Sequence, residues 1–323
     1  TFAAVVLFAL LVPMVTDAYS MTVLNTALIY FIAVLGISIM LGMGGQISFA
    51  TSAFLGFGAF ATANFSTILG LPPVWSILLS IVVTGLFSWI MGLALFRLKG
   101  SYFTFASIAL VQIMQNVYTN LYSLTGGPDG ISRIPHLSLF GWEPRNETDY
   151  FYIILVLCVA AGVIVERIRS STLGRSLAAV RDNEIAAMSL GVNVYRTKVI
   201  SFVIAGCFAG FAGALISHHN TYVSATQFTF DQSSSFVVMA MIGGVASTFG
   251  AFIGTLLITM LPEWFRPLQE YLRFSYGIAV MILMVFMPMG LAGIVKTLCK
   301  RIRKKSRNTA NTLKGGQRNG ADA

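Results

Sequence analysis

Long apolar runs, broken by glycine, proline or charged residues, repeat along the chain to about residue 290. A helix needs about 20 mostly apolar residues to cross a hydrocarbon core, so the pattern predicts a series of spans. Thr1–Val15 is the first; it lacks the preceding basic region of a signal peptide and reads as a span whose start is missing. Met21–Leu41 is the second, and the glycines of Gly42–Gly45 predict a tight turn after it. Gln46–Leu69 is the third, crowded with Ser, Ala, Thr and Gly. Small side chains let helix backbones approach closely, which places this span inside the bundle. Val74–Phe96 follows the break at Pro72 and Pro73, and Ser101–Leu121, Tyr150–Val165 and Val199–Ser217 come after it. Residues 233–262 exceed one crossing and are interrupted by Gly243, Gly244 and Gly250, predicting two short segments that turn near Ser247–Gly250. Glu263–Phe274 is polar and aromatic, hence interfacial, and Ser275–Met289 is the last span. The fold class is thus an all-α polytopic membrane protein with about ten transmembrane segments.

Two stretches carry more than hydrophobicity. In Ser101–Leu121, at about 100° per residue, Ser101, Thr104, Gln112, Gln115, Asn116 and Thr119 fall within an arc of roughly 120°. Phe103, Ala106, Leu110, Ile113, Met114 and Val117 lie opposite. In lipid such a stripe faces protein or water. It either lines a solute path or hydrogen-bonds neighbouring helices. Gln46 and Ser48, opening the third span, join Gln112, Gln115 and Asn116 as candidates for the same role. The second stretch is Arg181–Ser217, around which the chain is organised. Its first part predicts a helix with Asp182 or Asn183 as N-cap and Glu184 in the first turn. Ala186, Ala187, Leu190 and Val194 form a small apolar face, and Gly191 interrupts the helix before the apolar run. Such an element either docks a soluble partner or rests on the lipid surface.

Composition narrows the class. The chain is 56% hydrophobic and 10% charged, where a soluble domain carries about 25% charged residues. The net charge of +9 does not point to nucleic acid. Seven of the 21 Lys and Arg lie in residues 296–307 and six more in 167–198, both beside apolar runs. That is the distribution of loops held on the cytoplasmic side. With Arg97 and Lys99 added, every basic cluster falls on one side, and both termini are cytoplasmic. Residues 167–198 are then a cytoplasmic loop. Residues 122–149 have no basic excess and form an outside loop, whose Gly-Gly-Pro-Asp-Gly is turn chemistry because no Gly-Lys-Ser/Thr follows. A membrane domain over 1–295 precedes a basic, disordered tail over 296–323.

Other chemistry is scarce. Cys158, Cys207 and Cys299 have no metal or redox spacing. His218 and His219 point in different directions on a helix and read as interfacial, not as a metal site. No His-Glu-x-x-His or nucleophile set lies in a span, so neither an enzyme nor a bound cofactor is expected. The spans hold Gln, Asn, Ser and Thr but almost no charged residue, which argues against a proton relay of an ion-coupled secondary transporter. LGFGAF at 55–60 and TFGAFIG at 248–254 hint weakly at an internal repeat.

GGQISFATSAFLGFGAFATA at 44–63, RLKGSYFTFASIAL at 97–110, LTGGPDGI at 124–131 and the opening of the 181–217 stretch resemble the permease subunits of branched-chain amino-acid ABC importers, specifically the LivM-type half. YVSATQFTF at 222–230 and MPMGLAGI at 287–294 extend the resemblance, which covers nearly the whole chain to about residue 295. It implies an importer bundle, BtuC-like or related, in the inner membrane. It also implies partners: a second, homologous permease half, two ABC ATPase subunits, and a periplasmic or lipoprotein solute-binding protein. ATP hydrolysis then belongs to the partners. Related permeases for urea and short amides share most of these blocks, so the solute class stays open between them and branched-chain amino acids. Glu184, Ala186, Ala187 and Gly191 match the cytoplasmic EAA loop of ABC permeases loosely, with the glycine one residue further on. The resemblance implies that Arg181, Asp182, Glu184, Ala186, Ala187, Leu190 and Gly191 form the ATPase-coupling helix.

Overall fold

The computed structural model describes residues 18–98, 100–138, 144, 146–245, 247–264, 277 and 281. The expected span Thr1–Val15, the 296–323 tail and all but two residues of Ser275–Met289 lie outside the described residues. The described chain is mostly helical. Helix α1, Ala18–Ile37, continues as a π-helix over Ser38–Met43. Then come α2 (Thr51–Thr67), α3 (Pro73–Leu95), α4 (Ser101–Asn120) and the single turn α5 (Tyr122–Thr125). Helix α6 spans Glu147–Ser170, α7 Thr172–Asp182, α8 Glu184–Ser189 and α9 Val194–Asn220. A hairpin of α10 (Phe230–Gly243) and α11 (Thr248–Trp264) follows. Two two-residue strands, β1 (Ile131–Ser132) and β2 (Tyr222–Val223), pair antiparallel.

Among the described residues, four helices are long and apolar enough to cross a membrane: Tyr19–Met43, Pro73–Leu95, Glu147–Ser170 and Val194–Asn220. Thr248–Glu263 is a shorter apolar helix. The third expected span needs correction, because Gln46–Ala50 is not helical and α2 begins only at Thr51. The reason is local hydrogen bonding. Ser48 Oγ accepts the Ala50 N–H at 3.2 Å, Ser107 Oγ accepts the Phe49 N–H at 3.0 Å, and the Thr104 hydroxyl donates to Ile47 O. Side chains thus offer this backbone an alternative to the helical ladder.

Helix α9 is the hub, packed on α1, α2 and α3. Lipid supplies no hydrophobic drive between helices, so close approach of small residues has to hold them. A Cβ on Gly58 of α2 would strike the Gly210 backbone of α9, and one on Gly213 would strike Leu55 O. Helix α3 presents Ser76, Ser80, Thr84, Ser88 and Gly92, four residues apart and all buried. Ser88 seats against Gly206 and Thr84 against Gly210. Its other face, including Trp75, Val82, Leu86 and Trp89, is exposed, as a lipid-facing surface is. Phe202 of α9 completes an aromatic cluster with Phe54, Phe96 and Phe103.

The expected break in residues 233–262 is present, between Gly243 and Thr248. Gly243 lies on the Gly250 backbone and Gly254 on Met239 O, so the two antiparallel helices touch through glycine. Part of the 122–149 loop is ordered by its glycines. Gly126, Gly127 and Gly130 adopt φ of +70°, +64° and +71°, a region open to glycine at no steric cost. The strand pairing then holds the turn against the end of α9.

Candidate functional site

The packing of α9 on α1 and α3, with α7 beside them, brings one set of ends together. Tyr195 at the start of α9 donates to Leu93 O near the end of α3, and Arg181 at the end of α7 donates to Gly42 O in the π-helix. Arg97, Arg167, Arg169, Arg175, Arg181, Arg196 and Lys198 sit on the segments that meet here. At the opposite end Glu147 accepts from Asn25 Nδ2 at 2.9 Å and lies 3.1 Å from His219 Nε2, tying α1, α6 and α9. His218 Nδ1 lies 2.7 Å from Pro135 O. Both histidines, in the last turn of α9, are buried, and each has a protein partner of its own.

At the basic end, the residues expected to form the coupling helix, Arg181–Gly191, fall on two elements and a turn. Asn183 is extended at φ −162°, and its Oδ1 accepts from Ile185 N at 2.9 Å and Ala186 N at 3.1 Å. Its side chain starts α8 where α7 stops, as an Asn cap does. Arg181 and Asp182 therefore close α7, while Glu184, Ala186 and Ala187 belong to α8. Leu190 and Gly191 form the following turn, with Gly191 at φ +82°, and Asn193 caps α9. The expected apolar face also divides. Ala187 is 1% exposed and turned into the protein, whereas Leu190 is 82% exposed. Ile185 and Met188, at 74% and 54%, stand beside it as a crown of large apolar side chains. Lys198 and Glu184, 2.5 Å apart, brace α8 against α9.

The polar stripe of α4 remains on the surface of the chain. Gln112 and Asn116 are exposed and Gln115 half-buried. Asn116 and Asn120 Nδ2 donate to carbonyls of their own helix, as does the Thr119 hydroxyl. Ile113 and Val117, expected on the opposite side, are exposed beside the stripe, so the open face is mixed. Phe103, Leu110, Met114 and Tyr118 face inward.

Gln46 and Ser48 are on a different surface, inside the protein. They line a cavity of about 10 Å³ with Ile37, Met40, Thr51, Phe54 and Phe202. Among the described residues, neither Gln46 amide atom has a hydrogen-bond partner. Next to it the starts of α2 and α10 meet, an arrangement sequence reasoning missed. The Ser52 N–H donates to Ser233 Oγ at 2.9 Å, the Ser52 hydroxyl donates to Thr229 O at 2.9 Å, and the Ser233 hydroxyl donates to Phe49 O. Two interrupted crossings thus satisfy each other's free backbone groups through hydroxyls. No local signal marks Ser52 or Ser233, because their partners are far away in sequence.

Residues 19–287 match the family described as branched-chain amino acid transport system / permease component. The high-affinity branched-chain amino acid permease protein LivM of Salmonella typhimurium is 27% identical over 99% of this chain and 78% of its own length. The corresponding LivH protein of Escherichia coli is 24% identical over 82% of this chain and 91% of its own. A probable LivM of Methanocaldococcus jannaschii is 22% identical over 73% and 69%. No solved structure matches the chain.

Proposed function

The chain belongs to the family of permease components of branched-chain amino acid transport systems, and from that membership we propose that it is one membrane half of an ATP-driven importer for leucine, isoleucine and valine. A second, homologous permease half completes the pathway, two ATPase subunits energise it, and a periplasmic or lipoprotein solute-binding protein delivers the solute. The similarity to both LivM and LivH supports a paired permease. The fold is an importer bundle in the inner membrane with the basic end in the cytoplasm, since basic loops are retained on that side.

The observation that carries this reading is the α8 crown. A membrane protein whose loops face water rarely leaves three large apolar side chains together on a short helix and its closing turn unless something covers them. Here they stand beside Arg181, Arg196 and Lys198, at the proposed cytoplasmic end, where an ATPase would sit. The α4 stripe gives the second half of the reading. Exposed Gln112 and Asn116 are costly against acyl chains, so this face meets the solute path or the partner permease. Its amides beside Ile113 and Val117 offer both polar and apolar contact, as a branched-chain amino acid has both parts.

The test is reconstitution. Co-expressed with its partners in proteoliposomes, the chain should support uptake of labelled leucine only when ATP and the binding protein are both present. Leucine uptake by the permease chains alone, driven by an H⁺ or Na⁺ gradient, would reject the reading.

A further inference from the structure

We propose that Arg181 is the strut through which the α7–α8 hairpin acts on the interior of the permease; the inference rests on the importer reading above. Arg181 sits at the last turn of α7, two residues before the Asn183 cap that starts α8. Its side chain does not join the exposed crown. It turns back, and Nη1 donates to Gly42 O at 2.7 Å, while Nε and Nη2 both donate to Asp182 Oδ1 at 3.2 Å. Asp182 thereby orients the guanidinium toward its target.

The target is the π-helix Ser38–Met43, where α1 leaves the bundle. At its end the Ile39, Met40 and Leu41 carbonyls accept from Gly44, Gln46 and Gly45 N–H respectively. The Gly42 carbonyl, next in the series, accepts from Arg181. The two glycines that follow make room for α7. A Cβ on Gly45 would lie 2.5 Å from Arg181 Cγ, and one on Gly44 would lie 3.3 Å from Cδ2 of Leu177, one turn earlier on α7. Gly45 also holds φ +67°. Leu177 and Arg181 thus dock α7 onto the Gly44–Gly45 turn, and the residue after that turn is Gln46, whose unpartnered amide lines the internal cavity. A π-helix carries an extra residue per turn and recurs at functional sites. Coupling between separated sites requires an element with two arrangements, and in this proposal the π-helix is that element. A shift of the hairpin therefore pulls on the Gly42 carbonyl and, four residues on at Gln46, on the cavity wall.

The experiment uses the assembled importer in proteoliposomes, with ATP hydrolysis and labelled leucine uptake measured on the same preparation. Arg181→Ala should lower uptake more than ATP hydrolysis, so that ATP spent per leucine rises by a factor within the ~5- to 150-fold range of inter-site coupling. Arg181→Lys, which keeps one donor, should recover part of the loss. Gly45→Ala, which displaces the arginine stem, should uncouple in the same way, and Arg181→Ala added to it should cause no further loss. Equal decline of hydrolysis and uptake in Arg181→Ala, or no change in either, overturns the strut; so does additivity with Gly45→Ala. Failure of the wild-type assembly to import leucine with ATP rejects the importer reading itself, before any variant is compared.

Discussion

Among the described residues, close helix contacts are made by residues with little or no side chain, and one pair of substitutions tests whether they hold the protein together. Gly206 of α9 faces Ser88 of α3: a Cβ at position 206 would lie 2.5 Å from Ser88 Cβ and 2.6 Å from its Oγ. Ser88 Cβ is fixed to the backbone and cannot rotate away, so Gly206→Ala must part α3 from α9. Overpacking of this kind costs ~1–3 kcal/mol. Ser88→Gly removes the obstructing atoms, at the expense of the 2.9 Å bond from Ser88 Oγ to Gly85 O and of ~0.5–1 kcal/mol for a glycine within a helix. The double variant should therefore be more stable than the two single effects predict, by a coupling of ~0.5–3 kcal/mol. The measurement is reversible unfolding of the purified protein in mixed micelles, for wild type, both single variants and the double. Gly58→Ala serves as the harsher comparison, since its Cβ would meet the Gly210 backbone and no side-chain change opposite relieves it. Wild-type stability of Gly206→Ala, or strict additivity in the double variant, would show that the close approach of these helices is not what secures them.

Three further outcomes follow from the same geometry. Replacing Gln112, Gln115 and Asn116 together by Leu should lower leucine uptake far more than membrane abundance, because interhelical hydrogen bonds in lipid average only ~0.6 kcal/mol each; unchanged uptake would leave the stripe without a role in transport. A single cysteine at Leu190 should label from the cytoplasmic side and one at Tyr222 from the opposite side, with the reverse pattern overturning the orientation. Ser52→Ala with Ser233→Ala removes the hydroxyls joining the starts of α2 and α10, and should cost ~1–3 kcal/mol as buried backbone groups lose their partners; wild-type stability would mean that other groups replace them.

How far the chain can be read without its fold depends on where each residue's partner lies. Helices α1, α3, α4, α6 and α9 were legible because apolar periodicity is a local signal. So was the break between α10 and α11, where Gly243, Gly244 and Gly250 sit close in sequence. The Asn183 cap and the Gly191 stop were legible for the same reason: the groups they satisfy are within a few residues. The start of α2 was not, because Ser107 and Thr104 hold the Gln46–Ala50 backbone from another helix. Nor was the fate of His219, whose partner Glu147 is distant in sequence. The Ser76–Gly92 stripe on α3 is written plainly at four-residue spacing, yet serine at such spacing only signifies packing once Gly206 and Gly210 are known to lie opposite.

The orientation of Ala187 decides how the proposed ATPase contact has to be tested. With its methyl group buried, Ala187→Trp would push α8 off the permease, so lost ATPase binding would follow whether or not α8 is the docking surface. The proposed docking surface is Ile185, Met188 and Leu190, which are exposed. Burying a large aliphatic side chain is worth ~1.5–3 kcal/mol, and little of this is spent on ordering the helix. The Asn183 cap, the Lys198–Glu184 bridge and the Val192 N–H to Ala187 O bond already hold it, and a preorganised element loses less on binding. Leu190→Asp places a charge at the most exposed point of the crown and touches nothing inside the permease. It should leave thermal stability and insertion unchanged, while the affinity for the ATPase falls by about the tenfold that corresponds to each ~1.4 kcal/mol, and uptake falls with it. Leu190→Met, similar in size, should keep both. An Asp variant that co-purifies its ATPase and transports at the wild-type rate would place the docking surface elsewhere on the basic end.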